Sequence, residues 1–578
     1  MIVRLCLACL GFAAFLFCAA CGKGPAPADK AGPTPRPSVV LISIDTLRAD
    51  HVGVRGLTPA LDALAKRGLR FTSAWSQVPL TLPSHSSMLT GLLPTHHGVR
   101  DNVGYELRGR ETLAERFRKA GFATGGFVSA TVLRRETGIA RGFEVFDDEM
   151  PSTPGKPGLE RGGPLTVERA LNFVDLHKTE GFFLFVHLYE PHTPYEAPAR
   201  FQDRGASSYD HEVAAADDAV GALMAGLTAR GVDRPLVVVT SDHGEGLGDH
   251  GEAEHGLLLY AEALHVPLIL VRPDGRGAGA EVSATVREVD IASTLLRLAG
   301  LDADGTDGAP LDESPGSLSR PAYSETWYPR IHFAWSELAS ATEGRWRFID
   351  GPSPEFYDLK NDPREKSSLA LDPTRPAAAM ARFIAEQKQT ASPQATGETS
   401  RDAEERLRSL GYLGSRGFAR ASSGANPRDK ISFYQPFMTA FTGAFEAHGS
   451  GNLTLAAEQY RKAISLVATE KGLVVPKLHS GLGDALARLG QTGAAENEFK
   501  AELRLDPASV EGRTGLGTLL WSLGRDAEAR EVIGGIVTRS PKAGAAEYAA
   551  VIRAFEILDD AASLAVWRDR ARSLGYPR

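Results

Sequence analysis

Cysteine is missing from almost the whole chain: the four that occur, Cys6, Cys9, Cys18 and Cys21, all lie in its first 21 residues. Everything beyond residue 21 is therefore without disulfides, thiolate zinc sites or a cysteine nucleophile. A basic excess is missing too. The 64 Lys and Arg face 72 Asp and Glu, for a net charge of -8, and no long basic run offsets this locally. That balance excludes nucleic-acid binding driven by phosphate neutralisation. The early apolar run, Leu5 to Phe17, falls short of the ~20 residues a membrane span needs, and Lys23 and several prolines follow it. What remains is 43% apolar and 24% charged, the composition of an ordinary globular protein. At ~150 residues per domain, a chain of 578 has room for two to four domains.

Arg4, the apolar run, and the small residues Ala19 and Ala20 before Cys21 read as a secretory signal over residues 1–21. With Gly22 following, the site resembles a bacterial lipoprotein cleavage site, which implies lipidation of Cys21. Plain secretion and an uncleaved anchor are the alternatives. All three put the rest of the chain outside the cytoplasm, in the periplasm or cell envelope, and only the anchor would touch a membrane. Residues 22–37 carry prolines at 25, 27, 33, 35 and 37 and form a tether.

In residues 38–371, apolar β-branched runs (38–44, 121–129, 182–189, 235–241, 266–272) alternate with helical patterns (60–67, 112–119, 166–177, 213–230). Fully apolar strands separated by helices predict an α/β domain with a doubly wound, mostly parallel sheet covered on both faces. In such sheets ligands gather beyond the carboxyl ends of the strands, where Asp45 and Asp242 stand. The polar stretch 372–429 reads as linker, with one helical segment at 402–410. Residues 430–578 read as all-α. Leu489-Gly490 recurs as Leu523-Gly524, Ala495 as Ala529 and Pro507 as Pro541, each 34 residues on. That is the period of tetratricopeptide helix pairs, and it predicts a repeat domain that binds a protein or peptide partner. Ala456, Tyr460 and Ala463 suggest an earlier copy, and residues 547–574 a cap.

Three pieces carry candidate chemistry. Asp45 ends an apolar strand. Asp242-His243-Gly244 ends another, and an Asp-His pair suits a divalent metal that takes both oxygen and imidazole, such as zinc or manganese. Thr81, two residues before Pro83, falls in the first turn of a predicted helix running to about Leu89, where the positive end of the dipole favours an anion. Taken singly, each of the three could equally be a helix cap.

In this order, with Leu259-Tyr260 through Val266-Pro267-Leu268, residues 289–300 and Phe356-Tyr-Asp-Leu359, the pieces resemble the sulfatase family of the alkaline phosphatase superfamily over roughly residues 38–370. The resemblance implies an alkaline-phosphatase-like fold and one divalent metal held by Asp45, Asp242, His243 and Thr81, with zinc or manganese favoured, calcium or magnesium as alternatives and a second metal left open. It also marks departures. Thr81 stands where sulfatases carry the Cys or Ser that becomes formylglycine, His85 replaces the arginine of that motif, and Thr46 follows Asp45 where many sulfatases place a second aspartate. Pro83 and Ser84 remain. Threonine in this slot is similar to the phosphodiesterase and phosphotransferase branches, which implies Thr81 as a metal-bound nucleophile and Asn102 as a donor to a phosphoryl oxygen. His192 and His255 resemble groups at the leaving group and the anion, so either is a candidate general acid. His85 joins the candidate substrate-binding set, and His187 and Glu190 are alternative ligands. The expected activity is hydrolysis of anionic esters, phosphate favoured over sulfate. Sulfate ester hydrolysis without formylglycine, or a degenerate scaffold, are the competing readings.

Overall fold

The computed structural model describes residues 37–54, 56–151, 158–311, 320–371, 376–397, 422–470, 473–540 and 543–576. The signal, nearly all of the tether, the helical segment at 402–410 and Pro541 lie outside them. Among the described residues, no helix is long and apolar enough to cross a membrane.

The main sheet has nine strands: β1 (Val39–Ile44), β2 (Leu69–Trp75), β3 (Ala123–Phe127), β4 (Val145–Asp147), β5 (Phe182–Leu188), β6 (Leu236–Ser241), β7 (His265–Val271), β8 (Ala280–Val282) and β9 (Val286–Arg287). Their order is β4-β3-β5-β1-β6-β7-β2-β8, with β9 beside β2. From β4 to β6 every pairing is parallel. The 266–272 run, expected to join that parallel set, instead forms β7, antiparallel to both β6 and β2. Its apolar pattern reports burial on both faces, and burial does not fix direction. Alternation along β1 divides the core. Val40, Ile42 and Ile44 meet the helices Pro59–Arg67, Gly163–His177 and Ser208–Ala229 on one face. Val39 and Leu41 belong to the core of the other face, with Leu82, Met88, Phe117 and Leu295.

A four-stranded antiparallel sheet follows: β10 (Ala322–Thr326), β11 (Leu338–Glu343), β12 (Trp346–Asp350) and β13 (Glu355–Asp358). The sequence patterns did not suggest it. The region read as linker also contributes structure here. Helix Ala377–Gln389 buries Ala377, Met380 and Ile384 in a core with Tyr323, Phe348 and Phe356 of this sheet. The amides of Ala395 and Gly397 then bond to the carbonyls of Gly98 and Gly104. The expected linker is therefore in good part an extension of the α/β domain.

Beyond it stand four antiparallel helix pairs, Ile431–Gly449 with Leu453–Val467, Leu478–Arg488 with Thr492–Leu505, Val510–Ser522 with Asp526–Thr538, and Ala545–Ile557 with Ala561–Ser573. Gly490 and Gly524, 34 apart, both turn the chain at positive φ, 77° and 72°, directly after the first helix of a pair. Ala495 and Ala529 are both fully buried in the helix that follows. The repeated residues thus occupy equivalent places in the second and third pairs.

Candidate active site

Strand order decides what meets what. Ile44 at the end of β1 lies opposite Leu188 of β5 on one side and Ser241 of β6 on the other. Asp45, the segment starting at Tyr189 and Asp242 therefore leave the sheet together at its carboxyl edge. Asp242 is locked by amides: those of Thr46 (3.3 Å) and His243 (3.0 Å) both point at its Oδ1. Thr81 opens the helix Thr81–Thr90, whose apolar Leu82 and Leu89 are buried in the core. Ser84 holds that helix to the strand end, its hydroxyl lying 2.8 Å from the Asp242 carbonyl and 2.7 Å from Glu288 Oε2. This gives the remnant Ser84 of the motif a physical purpose.

The resulting cluster consists of acceptors. Asp45, Thr81, Asp242 and His243 are fully buried. His243 Nε2 lies 3.4 Å from Thr81 Oγ1, 3.7 Å from Asp45 Oδ1 and 3.5 Å from Asp242 Oδ2. Its Nδ1 faces the Gly244 carbonyl at 3.0 Å. A carbonyl only accepts, so Nδ1 carries the hydrogen and Nε2 presents a lone pair. Both oxygens of Asp45 and Oδ2 of Asp242 have no hydrogen-bond partner. Burial pushes both carboxyls up to about 7, against opposing attraction from histidine rings. Buried carboxylates and an imidazole lone pair facing one another without donors fit a cation, and the ligand atoms of Asp45, Asp242 and His243 lie within 4.8 Å of one another. Mixed oxygen and nitrogen donors suit zinc or manganese.

A second close trio, His85, His187 and Asp242, has a different character. His85 Nδ1 lies 2.7 Å from the Thr81 carbonyl and so carries a hydrogen, while its Nε2 lies 2.9 Å from Ser43 Oγ. With both ring nitrogens engaged and the side chain fully buried, His85 does not fit the substrate-binding role expected of it; it fastens the first turn of the Thr81 helix. His187 Nδ1 accepts from the Ser129 amide at 3.4 Å, so the ring hydrogen sits on Nε2, which lies 3.3 Å from Asp45 Oδ2 without forming a hydrogen bond. With its Nε2 protonated in this arrangement, His187 does not read as a ligand. Glu190, the other alternative ligand, accepts from the Gly163 amide at the start of helix Gly163–His177.

Three polar groups complete the surroundings. Asn102 Oδ1 accepts from the Leu82 amide at 2.8 Å, which fixes its Nδ2 as a buried donor without a partner. His192 donates from Nδ1 to the Thr193 carbonyl (2.6 Å), stacks on Tyr189 and leaves Nε2 buried and unpartnered. His255 meets the His243 ring at 4.3 Å and the His192 ring at 5.2 Å between centroids. Burial lowers all three imidazoles, so they are neutral near pH 7. Glu245 was missed in the sequence. Its Oε1 lies 3.0 Å from His255 Nδ1, its Oε2 receives the Tyr195 hydroxyl at 3.3 Å, and burial raises its carboxyl. Its signal was its place directly after Asp242-His243-Gly244.

Comparisons with known proteins agree with this architecture. Residues 37–301 match the profile of the family described as Sulfatase. The ulvan-active sulfatase of Formosa agariphila is 25% identical over 402 residues, 58% of this chain and 78% of that protein. The choline-sulfatase of Rhizobium meliloti is 24% identical, over 59% of this chain and 84% of its own length. Among solved structures, the phosphonate monoester hydrolase of Agrobacterium radiobacter superposes with a TM-score of 0.52 at 21% identity, covering 61% of this chain and 95% of that one, and so shares its fold. Residues 37–301 thus match the Sulfatase family profile and share the fold of these hydrolases, with the candidate centre at the carboxyl ends of β1 and β6.

Proposed function

We propose that the chain is an exported hydrolase of anionic esters that uses Thr81 as its nucleophile. The observation that carries this reading is the donor-free cluster of Asp45, Asp242 and His243 with the Thr81 hydroxyl 3.4 Å from His243 Nε2. Asp45, Asp242, His243 and Thr81 would hold one divalent ion, which when bound supplies positive charge to the nucleophile and to the ester oxygens. The helix N-terminus at Thr81 and the free Nδ2 of Asn102 stabilise the non-bridging oxygens as charge develops on them. Thr81 Oγ1 displaces the leaving alcohol, and the proton that Thr81 gives up is taken by the Nε2 lone pair of neutral His192 or His255 and passed from there to the leaving oxygen. Water then cleaves the threonine ester. Tyr195 and Glu245 hold His255 in place for this step.

We favour phosphate or phosphonate esters because Thr81 offers one hydroxyl, so its ester must be cleaved by attack at phosphorus or sulfur. A hydrated formylglycine has a second hydroxyl and can eliminate sulfate instead. The names of the curated relatives favour the second reading, sulfate ester hydrolysis. The rest of the reading extends the sequence patterns: lipid anchoring at Cys21 in the cell envelope, and tetratricopeptide-like pairs that take a protein or peptide partner.

The deciding experiment is turnover of nitrophenyl phosphate, phosphonate and sulfate esters by wild type and Thr81→Ala, with zinc, manganese, magnesium and calcium in turn. The phosphorus esters should be at least ~100-fold faster, the effect of a charge-stabilising group that fits one of two transition states. Thr81→Ala should abolish turnover while melting like wild type. Faster sulfate turnover that depends on Thr81 would reverse the preference. No turnover with any ester or metal would favour a scaffold.

A further inference from the structure

The first helical pair is built into the α/β domain. Phe433, Tyr434 and Phe437 of helix Ile431–Gly449 pack around Phe333, with centroids at 6.5, 5.6 and 6.0 Å, and Phe433 also meets Trp335 at 5.9 Å. One ring in this layer, Tyr328, is buried and links the helical pair to the candidate site. It meets Tyr434 edge to face at 6.4 Å.

Three segments of the candidate site converge on Tyr328. Gly256 adjoins His255, and a Cβ placed there would lie 3.7 Å from Tyr328 Cγ and 3.1 Å from Leu80 Cδ2. Leu80 precedes Thr81. Gly256 thus fills the gap between the tyrosine ring and the start of the nucleophile's helix, at a φ of 103°. Thr326 fixes the same spot, donating to the Gly256 carbonyl at 2.5 Å while its Oγ1 receives the Tyr328 amide at 3.3 Å. On its other side Tyr328 packs on His332, with centroids 4.4 Å apart. His332 Nε2 lies 2.7 Å from Asp101 Oδ2, and Asp101 adjoins Asn102, which caps the Thr81 helix.

The same helix reaches the His255 loop a second time. Residues 245–255 form a hairpin with rungs Gly246 N to Glu254 O, Leu247 N to Ala253 O and Gly248 N to Glu252 O, closed at its base by Glu245 and His255. At its tip, a Cβ on Gly251 would fall 2.6 Å from Ile431 Cγ2. Ile431 and Tyr434 therefore brace the hairpin's tip and the ring beneath its base.

We propose that Tyr328, braced by Tyr434 of the helical domain directly and by Phe437 through Phe333, is a positioning residue that sets the mutual placement of Thr81, His255 and Asn102. The proposal rests on the functional reading above for its effect on turnover, but not for its effect on structure. Asp45, Asp242 and His243, three of the four groups assigned to the ion, are held by other contacts, so the ion site depends on Tyr328 only through Thr81.

The test uses the full chain with Tyr434→Leu, Tyr434→Phe and, in the third helical pair, Ile533→Val. Tyr434→Leu should lower kcat about 10- to 100-fold, the cost of displacing reacting groups by a fraction of an ångström to one ångström. Affinity for the divalent ion should fall far less than kcat, since three of its four assigned ligands are held elsewhere. Amide hydrogen exchange should quicken at residues 100–103 and 252–258. Tyr434→Phe, which keeps the ring but loses the hydroxyl bonded to that of Tyr328, should fall between Tyr434→Leu and wild type, and Ile533→Val should behave like wild type. If Tyr434→Leu does not fold, Phe437→Leu replaces it with the same expectations. Exchange that quickens only within 431–467, or a loss of ion affinity in parallel with kcat, would overturn the proposal. A wild type inactive on every ester would refute the functional reading, and the exchange measurement would still decide this one.

Discussion

Asn102 offers the sharpest separation of a structural from a chemical role. Its two amide ends face different tasks: Oδ1 accepts from the Leu82 amide at the start of the Thr81 helix, and Nδ2 is a buried donor with no protein partner. Asn102→Asp keeps an acceptor for the Leu82 amide, and the gain of roughly 0.3–1 kcal/mol that a carboxylate makes at a helix N-terminus is opposed by burial of its charge. It also replaces the free donor by a negative acceptor aimed where an anionic ester must sit. Asn102→Ala loses both ends, at about 1 kcal/mol of stability for the cap. Removing one donor from a site that stabilises developing charge costs ~100- to 1,000-fold in kcat. Thermal melting and turnover of the best nitrophenyl ester should therefore diverge. Asn102→Asp should remain cooperatively folded yet fall at least ~100-fold in kcat/KM, further than Asn102→Ala because it adds repulsion. Asn102→Asp with wild-type activity would refute the reasoning and leave Asn102 as a helix cap alone.

Two further outcomes follow from the same geometry. At a hundredfold excess over its Kd, a divalent ion should stabilise the wild type by about 2.7 kcal/mol, because it binds the native state only; Asp242→Asn should show no such shift in Tm, and an equal shift in both would remove Asp242 from the ligand set. Asp217 bonds the amides of Ala60 and Leu61 from a buried position, and burial raises its carboxyl to about 6, partly offset by those amides. A raised folded-state pKa gives stability that is fully present below the unfolded value near 4 and lost as pH rises through 6. Urea unfolding of wild type between pH 4.5 and 7 should thus contain a decline of at most about 3 kcal/mol that Asp217→Asn lacks; parallel profiles for the two would refute it.

Much of the catalytic half was legible because its signals are local. Apolar runs such as 39–44 and 236–241 mark strands buried on both faces, and Asp45 and Asp242 follow them directly. Thr81 two residues before Pro83 marks a helix start, and Gly490 with Gly524 marks a repeat through the positive φ each turn requires. The antiparallel sheet β10–β13 was not legible. Its strands are only four to six residues long, and the pairing that stabilises them is not encoded in any one of them.

The sequence by itself determined which segments are buried strands, where helices begin, and which oxygen and imidazole donors stand at their ends, because hydrophobic period and turn chemistry act over a few residues. Only the tertiary structure decided that β1 lies between β5 and β6, which brings Asp45 and Asp242 to one place. It alone turned β7 antiparallel, gave His85 to Thr81 and Ser43, and set Glu245 behind His255. It also decided that the first helical pair rests on Tyr328. Those outcomes depend on strand order and on which donor faces which acceptor across intervals of tens to hundreds of residues. No local periodicity carries that information, since the same apolar strand is equally buried in either direction and a histidine's free nitrogen is chosen by the partner of its other one.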